Sequence, residues 1–426
     1  GWQQAVEDNL LSFFNLVQGL QADLVSAATA GGSCLLAATQ MGGDFAVGGG
    51  QRRSFSPAQA SIAGLLKTAA HEMPGVRTKV VDFGQPDDLA ALAQAVLAET
   101  GAADSLIEVG YRDGIRTMIA TDYAPVDSHR ANVPALDDKS VILVTGGARG
   151  ITASVVQELA QRYRPTVVLA GRSPLPPERE ARETADLTSA REIKAALLRS
   201  LSSDGKPAAL SEVEAAYQRL LREREIRVNM ERLRRTGATV EYHPVDVRDE
   251  AAFGALIDGI YGRFDRLDGV IHGAGVVEDK LIKDKTVDSL RRVLSTKVDS
   301  AFVLSRMLRP DSLKFLVFFS SVSGRFGNRG QGDYAAANEV LNKLAVLLDR
   351  DWPGHVVSIN WGPWDAGMVS DELRRQFQQR GVSLVPIDVG CQRLVEELSA
   401  GSKGEVEVLI CGEDNQVMAH AAYTAG

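Results

Sequence analysis

The sequence SVILVTGGARGITASVVQELAQRY, residues 140–163, decides the fold of this chain. Its apolar run Val141–Val144 is typical of a buried strand, residues 145–150 form a glycine-rich turn, and Ile151 begins an amphipathic helical pattern. Such a unit binds dinucleotides, because glycines let the backbone approach a pyrophosphate and the helix N-terminus offers it free N–H groups. We therefore predict an α/β protein with a cofactor site at this turn.

The end of the next predicted strand, Thr166–Ala170, indicates which dinucleotide the turn would bind. Gly171, Arg172 and Ser173 follow this strand, where an acidic residue would hydrogen-bond the ribose 2′-hydroxyl of NADH. Arg172, together with Arg149 inside the glycine turn, favours a 2′-phosphate instead. The sequence therefore predicts NADPH. The alternative at this point is an α/β domain whose site is empty.

Five further strand patterns follow, and most are joined by helical patterns. They cover residues 239–243, 269–271, 315–320, 356–360 and 406–411. This alternation predicts a Rossmann-like, doubly wound parallel sheet of about seven strands. The charged stretch near residues 174–236 is too long for a single crossover helix, so we expect a helical insertion there.

The chain before residue 137 alternates shorter helical and strand patterns, which is again typical of an α/β unit. The glycines of Gln40–Gly50 have no regular spacing before a helix, so this segment is interpreted as a loop and not as a phosphate site. Thr121–Ser140 carries prolines and several Asp residues and is interpreted as a linker. We predict two parts, residues 1–136 and residues 137–426.

Composition argues against several classes of protein. The 426 residues have an ordinary charged fraction of 24% and a net charge of -8, which argues against a nucleic-acid surface.

Cys34, Cys391 and Cys411 lie far apart without metal-ligand spacing, so we expect neither disulfides nor a metal site, and a reducing cytoplasm fits best. No apolar run reaches the roughly 18 residues of a membrane span. Gly1, without a methionine or signal pattern, suggests a piece of a longer protein.

The segment FSSVSGRFGNRGQGDYAAAN, residues 319–338, carries the candidate chemistry. A buried strand that stops on Ser321 and a helix that opens with Tyr334 can bring a hydroxyl and a phenol to one point above a sheet edge. Two such donors could hold and protonate one oxygen atom. The alternative is a polar loop that joins a strand to a helix.

The succession TGGARGIT, GRS, VDVRD, HGAGV, SSVSG with YAAAN, and INWGPWDAGM resembles the ketoreductase domain of type I polyketide synthases and polyunsaturated fatty acid synthases. These domains belong to the short-chain dehydrogenase/reductase superfamily, and the resemblance covers most of the chain. It implies a catalytic NADPH-binding subdomain at residues 137–426, after a truncated Rossmann-like structural subdomain without a cofactor at residues 1–136. The helical insertion is similar to that of iterative polyunsaturated fatty acid and enediyne synthases.

The resemblance also implies roles for single residues. Tyr334 would be the proton donor, and Ser321 would hydrogen-bond the substrate carbonyl. Asn338 is also implied as a catalytic residue, and it stands four residues after Tyr334, where most short-chain reductases have a lysine. Lys297, in STKVDSAF, matches the lysine of polyketide ketoreductases, and Lys343 is the second candidate. The implied cofactor-binding residues are Thr145, Gly146, Gly147, Arg149, Gly150, Ile151, Arg172, Ser173, Asp246, Val247, Gly273, Ala274 and Gly275.

The implied reaction is the NADPH-dependent reduction of a 3-ketoacyl thioester to the 3-hydroxyacyl thioester. The implied partners are an acyl carrier protein, with the substrate on its phosphopantetheine arm, and the other domains of a parent synthase. Asp279, and Phe326 in place of a Trp, imply a D-configured hydroxyl. Three alternatives remain. They are a free-standing NADPH carbonyl reductase, an extended-superfamily nucleotide-sugar enzyme, which should keep the lysine after the tyrosine, and a catalytically dead domain, which should have lost Tyr334 or the glycine turn.

Overall fold

The computed structural model describes residues 1–47, 55–84, 89–123, 136–202, 208–366, 371–379 and 381–412. Within these ranges the chain forms two β-sheets interleaved with helices. Part of the predicted linker (124–135), the end of the predicted loop (48–50), and the last two residues of INWGPWDAGM lie outside the described residues.

The first sheet and its helices come from the N-terminal part of the chain. The elements are α1 (Trp2–Ala30), β1 (Ser33–Thr39), α2 (Ala60–Glu72), β2 (Val76–Phe83), α3 (Leu89–Gly101), β3 (Glu108–Arg112) and β4 (Ile115–Thr117). β1, β2 and β3 lie parallel in that order, and β4 pairs antiparallel with β3. Asp113 and Gly114, both with positive φ, form the turn between β3 and β4.

A buried carboxylate in β2 lies beside the end of β1. Asp82 accepts hydrogen bonds from the N–H groups of Met41, Gly43 and Phe45 at 2.6, 2.7 and 2.9 Å. In a nucleotide-binding half, N–H groups at the end of a first strand would face a phosphate. In residues 40–47 an internal carboxylate, Asp82, bonds these N–H groups instead.

The second sheet and its helices follow. Their elements are β5 (Val141–Thr145), α4 (Gly150–Tyr163), β6 (Thr166–Gly171), α5 (Arg182–Ala185), α6 (Ala190–Leu201), α7 (Leu210–Arg235), β7 (Thr239–Pro244), α8 (Glu250–Phe264), β8 (Gly269–His272), α9 (Val287–Leu294), α10 (Ser300–Met307), β9 (Phe315–Ser321), α11 (Val322–Phe326), α12 (Gly332–Asp351), β10 (His355–Trp361), α13 (Asp371–Gln379), α14 (Ile387–Ala400) and β11 (Glu407–Ile410). The strands are parallel in the order β11-β10-β9-β8-β5-β6-β7. The predicted seven-stranded doubly wound sheet is confirmed.

The strand order places a crevice at the centre of this sheet. β6 and β7 lie on one side of β5, whereas β8 and the later strands lie on the other. Val141 and Leu143 pack into one core and Ile142 and Val144 into the other, so both faces of the sheet are covered. Ligands of open α/β sheets bind at the carboxyl ends of the strands where the order reverses. Here that point lies between β5 and β8.

Helix α2 attaches the first sheet to the second. A side-chain Cβ at Gly64 would lie 2.5 Å from the carbonyl oxygen of Ala335 and 2.6 Å from the Cα of Ala336, so α2 and α12 meet backbone to backbone. Residues of both parts share one hydrophobic core. The N-terminal part therefore packs directly on the helix that carries Tyr334.

Candidate functional site

The glycine turn has the backbone that a phosphate site needs. Gly146 and Gly150 have φ values of +71° and +60°, a region that side chains disfavour. Gly150 begins α4, whose first N–H groups have no partner inside the helix. The N–H of Ala274 donates to Thr145 Oγ1 at 3.2 Å, which joins the turn to the loop after β8. The carboxyl ends of β5 and β8 therefore form one cradle.

Thr152 stands where the dinucleotide-binding pattern usually has its third glycine. Its side chain is buried, and a Cβ at Gly273 would lie 2.6 Å from its Oγ1 atom. The small residue needed for close packing between helix and strand is therefore supplied by Gly273, in the loop after β8.

The two arginines predicted to bind a 2′-phosphate have different surroundings. Arg172 is exposed at the end of β6 and forms no ion pair with the residues that the structure describes. Arg149 instead donates from Nε to the carboxylate of Glu225, in α7, at 2.7 Å. Asp246 forms an ion pair with Arg248, and this pair lowers the pKa of Asp246. The charge of Arg172 contributes to the same shift more weakly. Glu225 was not predicted, because the sequence does not show where the insertion packs.

Ser321 and Tyr334 line the same cavity as the glycine turn, although a short helix separates them in the chain. Ser321 is the last residue of β9, and its Oγ accepts from the N–H of Ser323 at 3.2 Å. The N–H of Tyr334 donates to the Asp333 carboxylate at 2.8 Å, and Asp333 pairs with buried Lys285 at 2.6 Å. The pair with Lys285 fixes the start of α12 against the loop after β8.

Lys297 lies beneath Tyr334. It belongs to a π-helical turn, Ser295–Asp299, and such turns are frequent at functional sites. Its side chain is only 3% exposed, its Nζ donates to the carbonyl of Phe319, and that atom lies 5.4 Å from the centre of the Tyr334 ring. Burial lowers the pKa of Lys297 to about 7. Both charge states of this amine are therefore accessible near neutral pH.

A buried histidine links Lys297 to the glycine turn, and the sequence analysis assigned it no role. His272 hydrogen-bonds through Nδ1 to Thr145 Oγ1 at 2.8 Å and through Nε2 to the carbonyl of Lys297 at 3.0 Å. Burial lowers its pKa to about 4, so the ring is neutral at physiological pH. The HGAGV motif contains this residue, but only the fold shows that the two ring nitrogens join the two halves of the site.

Tyr334 is held in its protonated form. Burial raises the pKa of its phenol, whereas the neighbouring Asn338 and Ser321 side chains act in the opposite direction. Asn338 donates from Nδ2 to the Tyr334 carbonyl at 2.8 Å, and its buried Oδ1 has no hydrogen-bond partner within the described ranges. A neutral phenol is the form that can give a proton to a substrate.

Lys343, the second candidate lysine, lies in a different environment. It is fully buried and forms ion pairs with Glu407 and, at 3.6 Å, with Glu339. These pairs belong to a buried ion cluster that we define as Lys67, Glu108, Arg325, Glu339, Lys343 and Glu407. The structure therefore gives Lys343 carboxylate partners and places Lys297 beside Tyr334.

The buried ion cluster connects the first sheet to the segment between Ser321 and Tyr334. Glu108, at the start of β3, is 3.1 Å from Lys67 and hydrogen-bonds Arg325, which lies in α11. Burial would raise the pKa of Glu339, but the charges of Lys67, Lys343 and Arg325 outweigh it and hold that pKa below its usual range. The cluster therefore ties the segment between Ser321 and Tyr334 to the first sheet.

Helix α2 also binds the rest of this segment. Glu72 accepts from the N–H of Gly330 at 2.9 Å and from the N–H of Ile282 at 2.7 Å, and the His71 ring hydrogen-bonds the Phe326 carbonyl at 3.0 Å. Because these contacts hold backbone atoms, they fix the path of the loop before Tyr334.

Asp279 bridges the two loops that flank the cavity. The side-chain amide of Gln331 donates to the Asp279 carboxylate at 3.1 and 3.3 Å, and its oxygen accepts from Ser323 Oγ at 2.7 Å. Neighbouring Glu278 pairs with Arg292 on the outside of the site. Asp279 is therefore part of a hydrogen-bonded wall at the tyrosine end.

The cavity that contains these groups has a volume of about 2590 Å³. Typical small-molecule sites measure about 300–1,000 Å³, so a dinucleotide and a second molecule fit together. Within the described ranges, no group of three or more His, Cys, Asp or Glu side chains is arranged to hold a metal ion. Among the same residues, no helix combines the length and the apolar character needed to cross a membrane.

This fold and site define a Rossmann-type α/β protein in which a serine, a tyrosine and a lysine lie beside a dinucleotide-binding turn. The sequence model of the KR domain matches residues 140–366, which is more than half of the chain. The chain therefore belongs to the KR-domain family, and its predicted resemblance to ketoreductase domains is confirmed.

Curated relatives are parts of large synthases. The chain is 29% identical over 367 residues to one component of the polyunsaturated fatty acid synthase of Thraustochytrium sp. (82% of this chain, 13% of the relative). It is 28% identical over 361 residues to polyketide synthase PksN of Bacillus subtilis (82% of this chain, 6% of the relative). The chain thus spans a small fraction of the length of these relatives.

Solved structures have the same fold across both sheets. A ketoreductase domain from the bacillaene assembly line superimposes with a TM-score of 0.70 at 24% identity, covering 97% of this chain and 85% of that one. A structure of A-type ketoreductases from a modular polyketide synthase gives a TM-score of 0.71 at 22% identity, covering 98% and 79%. The N-terminal sheet is therefore part of the shared architecture.

Proposed function

We propose that this protein reduces a 3-ketoacyl thioester to a 3-hydroxyacyl thioester with NADPH. The observation that carries this proposal is the convergence of Ser321, Tyr334 and Lys297 on one cavity with the glycine turn. Burying a tyrosine hydroxyl and a lysine amine costs folding free energy. Their placement together at the strand ends therefore favours a catalytic site over an α/β domain without a ligand.

The residues at the glycine turn fit NADPH. The first N–H groups of α4 suit a pyrophosphate, and Arg172, without an ion pair to any described residue, suits a 2′-phosphate. The other residues predicted to bind the cofactor lie at the same strand ends: Thr145, Gly146, Gly147, Ile151, Ser173, Val247, Gly273, Ala274 and Gly275. NADPH, when bound there, supplies the hydride.

The protein itself handles the carbonyl oxygen of the substrate. The Ser321 hydroxyl donates a hydrogen bond to this oxygen, and Tyr334 gives it the phenolic proton as negative charge develops. Lys297 beneath the tyrosine ring stabilises the phenolate that remains. Asn338 donates to the Tyr334 carbonyl and so positions the helical turn that carries the tyrosine.

The substrate class follows from the family and from the cavity. The relatives are multidomain synthases, so we propose a 3-ketoacyl group on the phosphopantetheine arm of an acyl carrier protein, with further synthase domains as partners. We also propose a D-configured product and a cytoplasmic location.

The test measures NADPH oxidation with an acetoacetyl thioester, first on N-acetylcysteamine and then on a carrier protein. Turnover of both thioesters, faster with the carrier-bound one, supports the proposal. Equal or faster turnover of simple ketones favours a free-standing carbonyl reductase. No oxidation of NADPH with any 3-ketoacyl thioester contradicts the proposed reaction.

A further inference from the structure

The insertion helix α7 forms one wall of the cofactor end of the cavity. Its residues Arg219, Arg222 and Glu225 line the same space as the glycine turn. The amide of Asn229, one helical turn after Glu225, donates to the carbonyl of Ala148 at 3.0 Å. The insertion is therefore part of the binding site and does not extend away from it.

Glu225 occupies two groups that a bound dinucleotide would use. Its Oε1 accepts from the N–H of Gly150 at 2.8 Å, and its Oε2 accepts from Arg149 Nε at 2.7 Å. The N–H of Gly150 belongs to the N-terminus of α4, where a pyrophosphate oxygen would bind. Arg149 is one of the two cations predicted to bind the 2′-phosphate. The Glu225 carboxylate therefore bonds both Gly150, the proposed donor to the pyrophosphate, and Arg149, a proposed donor to the 2′-phosphate.

The pair is accessible to a competing anion. The Arg149 and Glu225 side chains are 41% and 37% exposed, so neither is locked in the protein core. Exposed pairs of this kind contribute little stability, so an incoming phosphate can separate them. Once separated, the Glu225 carboxylate still lies near the phosphates and repels them.

We propose that Glu225 is a specificity-determining residue that acts as an internal anion, held by Arg149 and Gly150 until cofactor phosphates displace it. It opposes NADPH more than NADH, because only NADPH carries the 2′-phosphate that Arg149 would bind together with Arg172. Glu225 thereby lowers the affinity of the site for NADPH. This inference rests on the proposed dinucleotide site.

The test compares dissociation constants from protein fluorescence titrations with NADPH, NADH and adenosine 2′,5′-bisphosphate. Glu225→Gln should bind NADPH and the bisphosphate on the order of threefold to tenfold more tightly than the unchanged protein, and the gain for NADH should be smaller. The gain should shrink at high salt, because both groups are partly exposed. In a background of Arg149→Gln, the same change should lose its preference for the 2′-phosphate.

The matched control is Glu231→Gln, which removes the same charge from α7 at an exposed pair with Arg235. It should leave all three constants unchanged. Equal or weaker NADPH binding by Glu225→Gln overturns the inference, since it means that Glu225 only supports the turn. If the unchanged protein binds none of the three ligands, the proposed function itself fails, so the two failures are distinguishable.

Discussion

The ammonium nitrogen of Lys297 lies 5.4 Å from the centre of the Tyr334 ring, although the two residues come from different helical segments on either side of β9. In most short-chain reductases the lysine stands one helical turn after the tyrosine, where this chain has Asn338. The π-helical turn Ser295–Asp299 brings the lysine to the tyrosine from another direction. One helical turn after Tyr334 the chain therefore carries Asn338, whose side-chain amide donates to the Tyr334 carbonyl.

Tyr334→Phe should reduce turnover of an acetoacetyl thioester by at least about a hundredfold, because it removes the proton donor. The NADPH dissociation constant should change by less than about twofold, since the phenol acts on the substrate and not on the cofactor. Steady-state kinetics and fluorescence titration measure the two quantities. A variant that keeps most of its activity would remove Tyr334 from the mechanism.

Lys297→Met should lower kcat and also stabilise the fold. The pKa of Lys297 is about 7 in the folded state, below its ordinary value of 10.5, so its charged form is disfavoured on folding. The resulting penalty is fully present below pH 7 and fades as pH rises towards 10.5. Its removal should therefore raise the free energy of unfolding by up to about 4 kcal/mol at pH 6 and by little at pH 10. Urea unfolding at the two pH values checks this.

Lys343→Met is the matched comparison, and it should behave in the opposite way. It leaves Glu339 and Glu407 with one cation fewer in a buried site, which should cost about 3 kcal/mol of stability. The residual folded protein should keep kcat within about twofold, because Lys343 forms its ion pairs with Glu339 and Glu407 and not with a residue between Ser321 and Tyr334. If Lys343→Met instead loses turnover and Lys297→Met does not, Lys343 is the catalytic lysine.

Much of the fold was predictable from local sequence patterns. Most strands of the large sheet come from apolar runs, whereas β7 (TVEYHP) is only partly apolar. The glycine turn and the Ser321–Tyr334 segment were recognisable because their chemistry is concentrated in short motifs. Strands, turns and motifs of this kind depend on residues that are close together in the sequence.

The rest depends on contacts between residues far apart in the chain. The pairs Lys67–Glu108 and Glu225–Arg149 join segments whose own patterns give no sign of one another. His272 was visible in a motif, but its role needs the packing of β8 against the lysine segment. Ion pairs and packing of this kind are set by tertiary structure, which local propensity does not encode.

Glu108→Gln should destabilise the protein by about 3 kcal/mol, because it leaves Lys67 and Arg325 buried with less negative charge. It should also lower kcat, since Arg325 lies in the segment between Ser321 and Tyr334. Asp113→Asn, an exposed change in the same pair of strands, should stay within about 0.5 kcal/mol. Equal stability of the two variants would show that the buried cluster does not hold the segment.

Arg172→Ala should raise the NADPH Michaelis constant on the order of tenfold and leave that for NADH nearly unchanged. The reason is that Arg172 has no ion pair with any described residue, whereas Arg149 is bound to Glu225. Initial rates at varied cofactor concentrations give both constants. Equal increases for the two cofactors would contradict a 2′-phosphate contact at this arginine.

The product should be predominantly the D-configured 3-hydroxyacyl thioester. Asp279 accepts from Gln331, which also binds Ser323, so the loop after β8 is joined to the start of α12 on one side of the cavity. Because this wall closes one side of the cavity, the acyl chain enters from the other side. The hydride then reaches only one face of the carbonyl. Asp279→Ala should weaken this wall and increase the L-configured fraction, with little loss of kcat.

Chiral chromatography of the product from an unbranched 3-ketoacyl thioester measures both fractions. Asp284→Ala, a change to another carboxylate of the same loop, should leave the ratio unchanged. A predominant L-hydroxyl product from the unchanged protein would contradict the assignment. An unchanged ratio in Asp279→Ala would show instead that the chain enters against residues other than this wall.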